Sequence, residues 1–176
     1  MYINSHEAEK QAVLNLAYSI CAAARTAPKA RGTDHTDTAI LTGDDKQKLV
    51  SEMRKMGDQH SSPVFLRDAG NVEKSEAVVL IGAKLGTRGL NDACRLCGFS
   101  DCGECSAKGA VCVFTSMDLG IALGSAVAIA ADNRIDNRMM FTIGKAAASL
   151  GFLGEYNIII GIPLSVSGKS VFFDRA

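Results

Sequence analysis

Ala77-Val78-Val79-Leu80-Ile81-Gly82 is the stretch that decides the fold. Six apolar residues run without a polar interruption, too few for a packed helix and right for a strand. A strand with no alternation is apolar on both faces, so it sits centrally and is covered on both sides. Outward from it, the same signature recurs at Ala110 to Thr115 and again, less purely, at Asn157 to Ile162. Upstream, Val13, Leu14, Ala17, Ile20, Cys21 and Ala24 recur at helical spacing behind Asn4 and Glu7, which read as a capping pair. This helix runs to about Arg25, and Pro28 and Gly32 end it. A short strand is expected at Ala39 to Thr42, and a second helix, capped by Thr42 and Asp45, runs to about Met56. Residues 58–73 read as loop with one helical turn. Leu119 to Ala131 is a helix apolar nearly all round, which means burial or a subunit interface, and Gly120 and Gly124 would let another helix approach closely. Arg138 to Thr142 reads as a strand, Gly144 to Leu150 as a helix, and Ser165 to Ala176 as an extended tail.

Between the first two apolar runs stands Cys94-Arg-Leu-Cys97-Gly-Phe-Ser-Asp-Cys102-Gly-Glu-Cys105, four cysteines in twelve residues. Two Cys-x-x-Cys knuckles bring four soft donors within reach of one centre, and thiolate-only ligation selects zinc or an iron–sulfur cluster over magnesium, calcium or manganese. Gly98 and Gly103 follow cysteines, where a tight loop needs positive φ or amides turned toward sulfur. Zinc ribbons usually hold a longer loop between knuckles, so iron–sulfur leads, with zinc and a metal-free site as alternatives. Cys112 reads either as a buried strand cysteine or as a fifth thiol able to replace Cys105. On this reading the cysteine segment, about 86–109, is a loop inserted between two core strands of a single domain, 1–176.

The 176 residues carry 19 basic and 19 acidic side chains and are 47% apolar. Balanced charge argues against a general nucleic-acid or anionic-membrane binder. The N-terminus lacks the basic and apolar regions of a signal peptide, and the apolar run Ile121 to Ala131 is too short to cross a bilayer. A cytoplasmic protein with reduced thiols is therefore expected. His6, His35 and His60 make no metal spacing. Asp34, His35 and Asp37 could form an acid–base group, although a threonine- and aspartate-rich loop more often serves turn chemistry. No glycine-rich phosphate loop is present.

Ala23-Ala24-Arg25-Thr26-Ala27-Pro28-Lys29-Ala30-Arg31-Gly32, Asp118 with its following helix, and Ile160-Gly161-Ile162-Pro163 resemble the turn, helix start and closing strand of FMN-dependent nitroreductases. With the inserted cysteines, the chain resembles the family described as ferredoxin-domain-containing proteins across roughly residues 6–175, including Gly161 to Arg175. The resemblance implies an α+β, three-layer nitroreductase-like sheet with flanking helices and a homodimer built on the buried helix and tail. It also implies FMN, with Arg25, Lys29, Arg31, Gly32 and Lys169 on the flavin side; read without the resemblance, the same cations are equally a solvated basic helix end complementing the helix dipole. The nitroreductases' opening Arg-x-Ser-x-Arg strand has no counterpart here, and Gly32 stands where their Asn follows the turn. The functional expectation is a redox protein, possible oxidoreductase or not, in which Cys94, Cys97, Cys102 and Cys105 hold an iron–sulfur cluster that exchanges electrons with a partner protein or a flavin. The alternative is a non-catalytic interaction or sensor protein, zinc-bound or metal-free.

Overall fold

The computed structural model describes residues 1–173. Its sheet has four strands in the order β1-β2-β4-β3, all antiparallel: β1 (Thr36–Leu41), β2 (Ala77–Ala83), β3 (Asp136–Asn137) and β4 (Ile158–Ser165). Every residue of β2 is buried, as its unbroken apolar run requires. Successive side chains of a strand point to opposite faces, and here they build two separate cores. Ala77, Val79, Ile81 and Ala83 join α1 (Ser5–Thr26) and α5 (Val113–Asp132) on one face. Val78 and Leu80 join α2 (Gly43–Gln59), α3 (Pro63–Glu73) and α6 (Phe141–Ser149) on the other. The result is the expected three-layer α+β arrangement.

α1 is capped as anticipated, the Glu7 N–H donating to Asn4 Oδ1 at 2.9 Å. Thr42 stands at the N-cap of α2 but makes no side-chain capping bond. Close approach rather than a turn explains Gly144 and Gly161. A Cβ on Gly144 would lie 1.6 Å from the Ile159 carbonyl oxygen, and one on Gly161 would lie 2.0 Å from Ile143 Cγ2. α6 therefore rests backbone to backbone on β4.

Several expectations are corrected. Residues 63–73 form a full helix, α3, because Pro63 sits at its first position, where the missing N–H costs nothing. Ala110 to Thr115 is not a strand: Cys112 is the N-cap of α5, and the helix begins at Val113. The cysteine segment thus joins β2 to α5 rather than two strands. It carries one short helix, α4 (Cys102–Ala107). Arg138 to Thr142 divides between a single bridge at Met140 and the start of α6. The tail does not extend away from the body, because Phe172, 2% exposed, packs into the α2/α3/α6 core. Its last three positions, 174–176, lie outside the described residues.

At 20 residues and with a mean hydropathy of 1.7, α5 is also long and apolar enough to cross a bilayer, unlike the shorter run read from the sequence. Its buried side, Leu119, Ala122, Leu123, Ala126 and Ala130, belongs to the α1 core. Its other side exposes Met117, Gly120, Ile121, Gly124, Ala128 and Ala131, a stripe of small and apolar residues that ends in the exposed carboxylate of Asp132.

Candidate metal centre

The four cysteines of the double knuckle line one cavity, and Cys112 lines it with them. Three short features aim them. Cys94 ends a 3-10 turn at Asn91–Ala93. Cys102 and Cys105 lie on α4, whose N-cap Asp101 accepts from the Glu104 N–H at 2.8 Å. Cys112 caps α5. Ser100 ties the loop to α4, its N–H and hydroxyl both donating to Glu104 Oε2 at 2.9 and 2.6 Å. All six cysteines of the chain are free thiols.

The thiols are not equivalent. The Asn91 N–H donates to Cys102 Sγ at 3.4 Å. That bond first, with the nearby Gly89 and Leu90 amides and Thr87 hydroxyl, pulls the Cys102 thiol below its ordinary pKa. Cys105 is 1% exposed, and burial first, then the neighbouring Cys97, Cys112 and Cys102, push its pKa up. Its S–H points at the Ala110 carbonyl, 3.7 Å away. Gly98 takes φ 83°, the positive φ expected of it, and its N–H donates to the Arg95 carbonyl at 3.0 Å rather than to sulfur. Gly103 is the second residue of α4.

An all-thiol donor set fits a thiolate-bound metal or cluster. The cavity between the sulfurs measures about 10 Å³, room for one water-sized sphere. Among the described residues no three His, Cys, Asp or Glu side chains stand together as a ready-made site for one ion. Ligation would therefore shift this loop around its centre.

Sequence reasoning missed the group that anchors the segment. Arg88 is buried, as is Asp118 on α5, with side chains 1% and 4% exposed. The guanidinium donates to Asp118 Oδ2 through Nε at 3.2 Å and Nη2 at 2.8 Å, and through Nη1 to the Gly86 carbonyl at 2.9 Å. The Ala30 N–H donates to Asp118 Oδ1 at 2.9 Å, so one carboxylate ties the cysteine segment to the Ala-Pro turn. Thr115 Oγ1 donates to the Gly86 carbonyl at 3.2 Å. The signal available in the sequence was Asp118 itself: a carboxylate in an apolar helix must have a buried partner.

The residues expected on the flavin side fall into two places. Arg25 pairs with Asp34, Nη2 to Oδ2 at 2.5 Å, and also donates to the Thr36 carbonyl. Lys29 Nζ donates to the Arg25 and Ala27 carbonyls at 2.7 and 3.0 Å, closing the end of α1. Arg31 Nη1 donates to the Arg88 carbonyl at 2.9 Å. Gly32 takes φ 64°, after Arg31 at φ 57°. These four cluster by the end of β2, where Thr36 pairs with Ala83. Lys169 follows β4, whose last residues pair with the opposite end of β2 at Ala77. One chain does not bring it to the other four. Asp34, His35 and Asp37 do not form an acid–base group: Asp34 and Asp37 accept from the Thr36 and Thr38 amides, which is turn chemistry. His35 packs against Gly86, and burial first, then Arg88, lowers its pKa.

The fold is that of the nitroreductases. A nitroreductase from Desulfitobacterium hafniense with bound FMN superposes with a TM-score of 0.57 at 17% identity, covering 88% of this chain and 78% of that one. Nitroreductase CinD from Lactococcus lactis, in complex with nicotinic acid, gives 0.58 at 15% identity, covering 92% and 84%. At that identity the likeness is one of fold. Within it, residues 108–175 match the model of the family described as uncharacterised proteins containing a ferredoxin domain, a span that includes Cys112 and begins after Cys105. A protein of Archaeoglobus fulgidus described as uncharacterised is 39% identical over 184 residues, covering all of this chain and 98% of its own. The chain belongs to that ferredoxin-domain family.

Proposed function

We propose that this protein is an electron carrier, with an iron–sulfur cluster held by Cys94, Cys97, Cys102 and Cys105 and with Cys112 as a spare thiol. The observation that carries the reading is the convergence of five thiols on one cavity at the edge of a redox fold. When bound, such a cluster takes up and releases single electrons. The chain's own contribution is positional: α4 and the 3-10 turn aim the thiols, the Asn91 N–H donates to Cys102, and Arg88 with Asp118 fastens the segment to the body. Leu96, exposed inside the first knuckle, offers an apolar contact for a redox partner protein. A reducing, cytoplasmic setting suits six free thiols.

The stripe of small and apolar residues exposed on α5 supports a homodimer. Gly120 and Gly124 have nothing within 4 Å of a built Cβ, so the helix surface is open for a second copy. Flavin enters through the fold alone. The cations at the Ala-Pro turn donate to acceptors of their own chain and would have to release them to hold a phosphate. Lys169 could join them only from a second copy.

The test is an absorption spectrum of anaerobically purified protein with elemental analysis for iron and zinc. Iron with a broad visible band that is lost in a folded Cys97→Ala, Cys102→Ala double variant supports the carrier. A colourless protein with one zinc per chain sinks it and leaves a zinc-stapled interaction or sensor module. Twin flavin peaks would add a reductase activity.

A further inference from the structure

α1 is longer than the body it packs against. Ser125 Oγ donates to the Ala23 carbonyl at 2.9 Å and the Ala30 N–H to Asp118 Oδ1 at 2.9 Å, so α1 and α5 lie side by side and antiparallel. Their far ends meet where Ala12, Asn15, Leu16 and Ser19 share a groove with Asn133 and Ile135. α5 stops there, at Asp132, but α1 continues outward to Ser5, about 12 Å of further helix at 1.5 Å per residue. None of residues 1–12 is buried, and Val13 is the first that is. The overhang is nevertheless built to be helical. Asn4 caps it, Ser5 Oγ donates to Glu9 Oε1 at 2.7 Å, and Gln11 Nε2 donates to Asn15 Oδ1 at 2.8 Å, bonds that need no contact with the body. Ahead of the cap stand Tyr2 and Ile3, 92% and 58% exposed. Large apolar side chains held out on a projecting helix mark a surface that another molecule covers.

We infer that this overhang is an arm that docks on a second copy of the chain, over the start of the partner's α5 and beside its thiol cavity. The inference rests on the homodimer proposed above. Gly120 and Gly124 bracket the middle of α5, so a two-fold axis through that point lays two copies of the helix antiparallel in full overlap, with opposed dipoles. The end of each α5 then comes level with the partner's Cys112, and the arm that overshoots it reaches along the partner's cysteine segment. Val111 and Met117, 43% and 47% exposed on either side of Cys112, offer it an apolar seat. Area argues for the same occupant. The α5 stripe is six residues, four of them glycine or alanine, and falls well short of the roughly 800 Å² that a stable interface takes from each partner. Tyr2 by itself can bury about 150–250 Å², and Ile3 adds to it. A membrane surface is the wrong partner, because interfacial helices are rich in Lys and Arg, whereas this arm sets Glu7 and Glu9 against a single Lys10.

The experiment replaces Tyr2 in the full-length chain by the photo-reactive benzoylphenylalanine, exchanges isotope-labelled with unlabelled copies, and maps the cross-linked peptides by mass spectrometry. Sedimentation of the wild type gives the oligomeric state alongside. The expected result is a dimer whose cross-links join one labelled and one unlabelled copy and run from position 2 to the partner's segment around residues 105–121. A dimer whose links stay within one copy, join the two arms, or fall elsewhere on the partner overturns the inference while leaving the homodimer standing. A second variant, Tyr2→Ser with Ile3→Ser, removes the apolar contact at side chains that the body does not bury, so folding is spared. It should raise the dissociation constant of the dimer by about tenfold or more, and an unchanged constant overturns the arm. If the wild type sediments as a monomer, the proposed homodimer falls and the inference with it.

Discussion

Replacing Asp118 by Asn turns one of two buried acceptors into a donor. Oδ1 accepts from the Ala30 N–H at 2.9 Å, and Oδ2 accepts from Arg88 Nε and Nη2 at 3.2 and 2.8 Å. Whichever way the amide is turned, its NH2 meets an N–H donor. The Arg88 guanidinium, 1% exposed, keeps its positive charge and loses its counter-ion. Breaking a desolvated pair from one side costs about 3–5 kcal/mol, because the remaining charge stays buried. For a chain of this length that lowers the melting temperature by about 6–20 °C. Urea titration followed by far-UV circular dichroism reads the loss at the midpoint, provided the slope is unchanged. A combined Arg88→Met, Asp118→Leu variant removes both charges and recovers part of it. The remainder is the orphaned Ala30 N–H, about 1–3 kcal/mol. A loss below about 1 kcal/mol in Asp118→Asn, the figure for an exposed pair, would refute the argument that this carboxylate is a buried anchor.

Gly144→Ala, with its Cβ driven against the Ile159 carbonyl, separates α6 from β4 and costs at least the 1–3 kcal/mol of a typical overpacked site; a soluble variant with an unchanged urea midpoint would contradict the close packing. His35 has a lowered folded pKa, so the unfolded chain binds the proton first as pH falls below about 6.5. The stability it supports is complete above that value and lost as pH falls through the folded pKa; His35→Asn should flatten the fall in urea midpoint below about pH 6.5, and an unaltered slope refutes this. Five thiols stand around a centre that needs four, so Cys105→Ser and Cys112→Ser should each retain iron while the double variant loses it. Loss of iron in either single variant would identify that cysteine as irreplaceable.

The readable parts of this sequence are those where one residue type does one job. β2 is legible because burial on both faces leaves no polar residue in the run. The same signature failed at Ala110 to Thr115, since a helix apolar all round has no period to distinguish it from a buried strand, and α5 starts inside the run. α3 was hidden for two reasons: Pro63 looks like a breaker although it opens the helix, and Asp68, on the buried face, interrupts the apolar repeat. Its partner, Thr142, whose hydroxyl donates to Asp68 Oδ2 at 2.7 Å, lies 74 residues away. Cysteine spacing announced the thiols. Their support was illegible because a main-chain N–H carries no letter, and nothing about Asn91 says that its amide faces Cys102. Likewise Arg25 reads as a free cation until Asp34 is brought beside it.

The cysteine segment and the body are held by different forces, and this bears on what metal does here. Neither apolar core contains a residue between Ala83 and Leu119. The segment is attached instead by Arg88 to Asp118, by Thr115 to Gly86, and by the Leu85 N–H donating to Asn157 Oδ1 at 3.0 Å. Small modules whose ligands also form their core unfold when metal is removed. In this protein the body has burial enough of its own, so chelation should loosen the segment and leave the three layers intact. Hydrogen exchange resolves the two: amides of residues 86–111 should lose protection on chelation, while those of β2 and β4 keep theirs. Equal loss across β2 would mean that the thiol centre is part of what holds the sheet together, and the separation of anchor from core would be wrong.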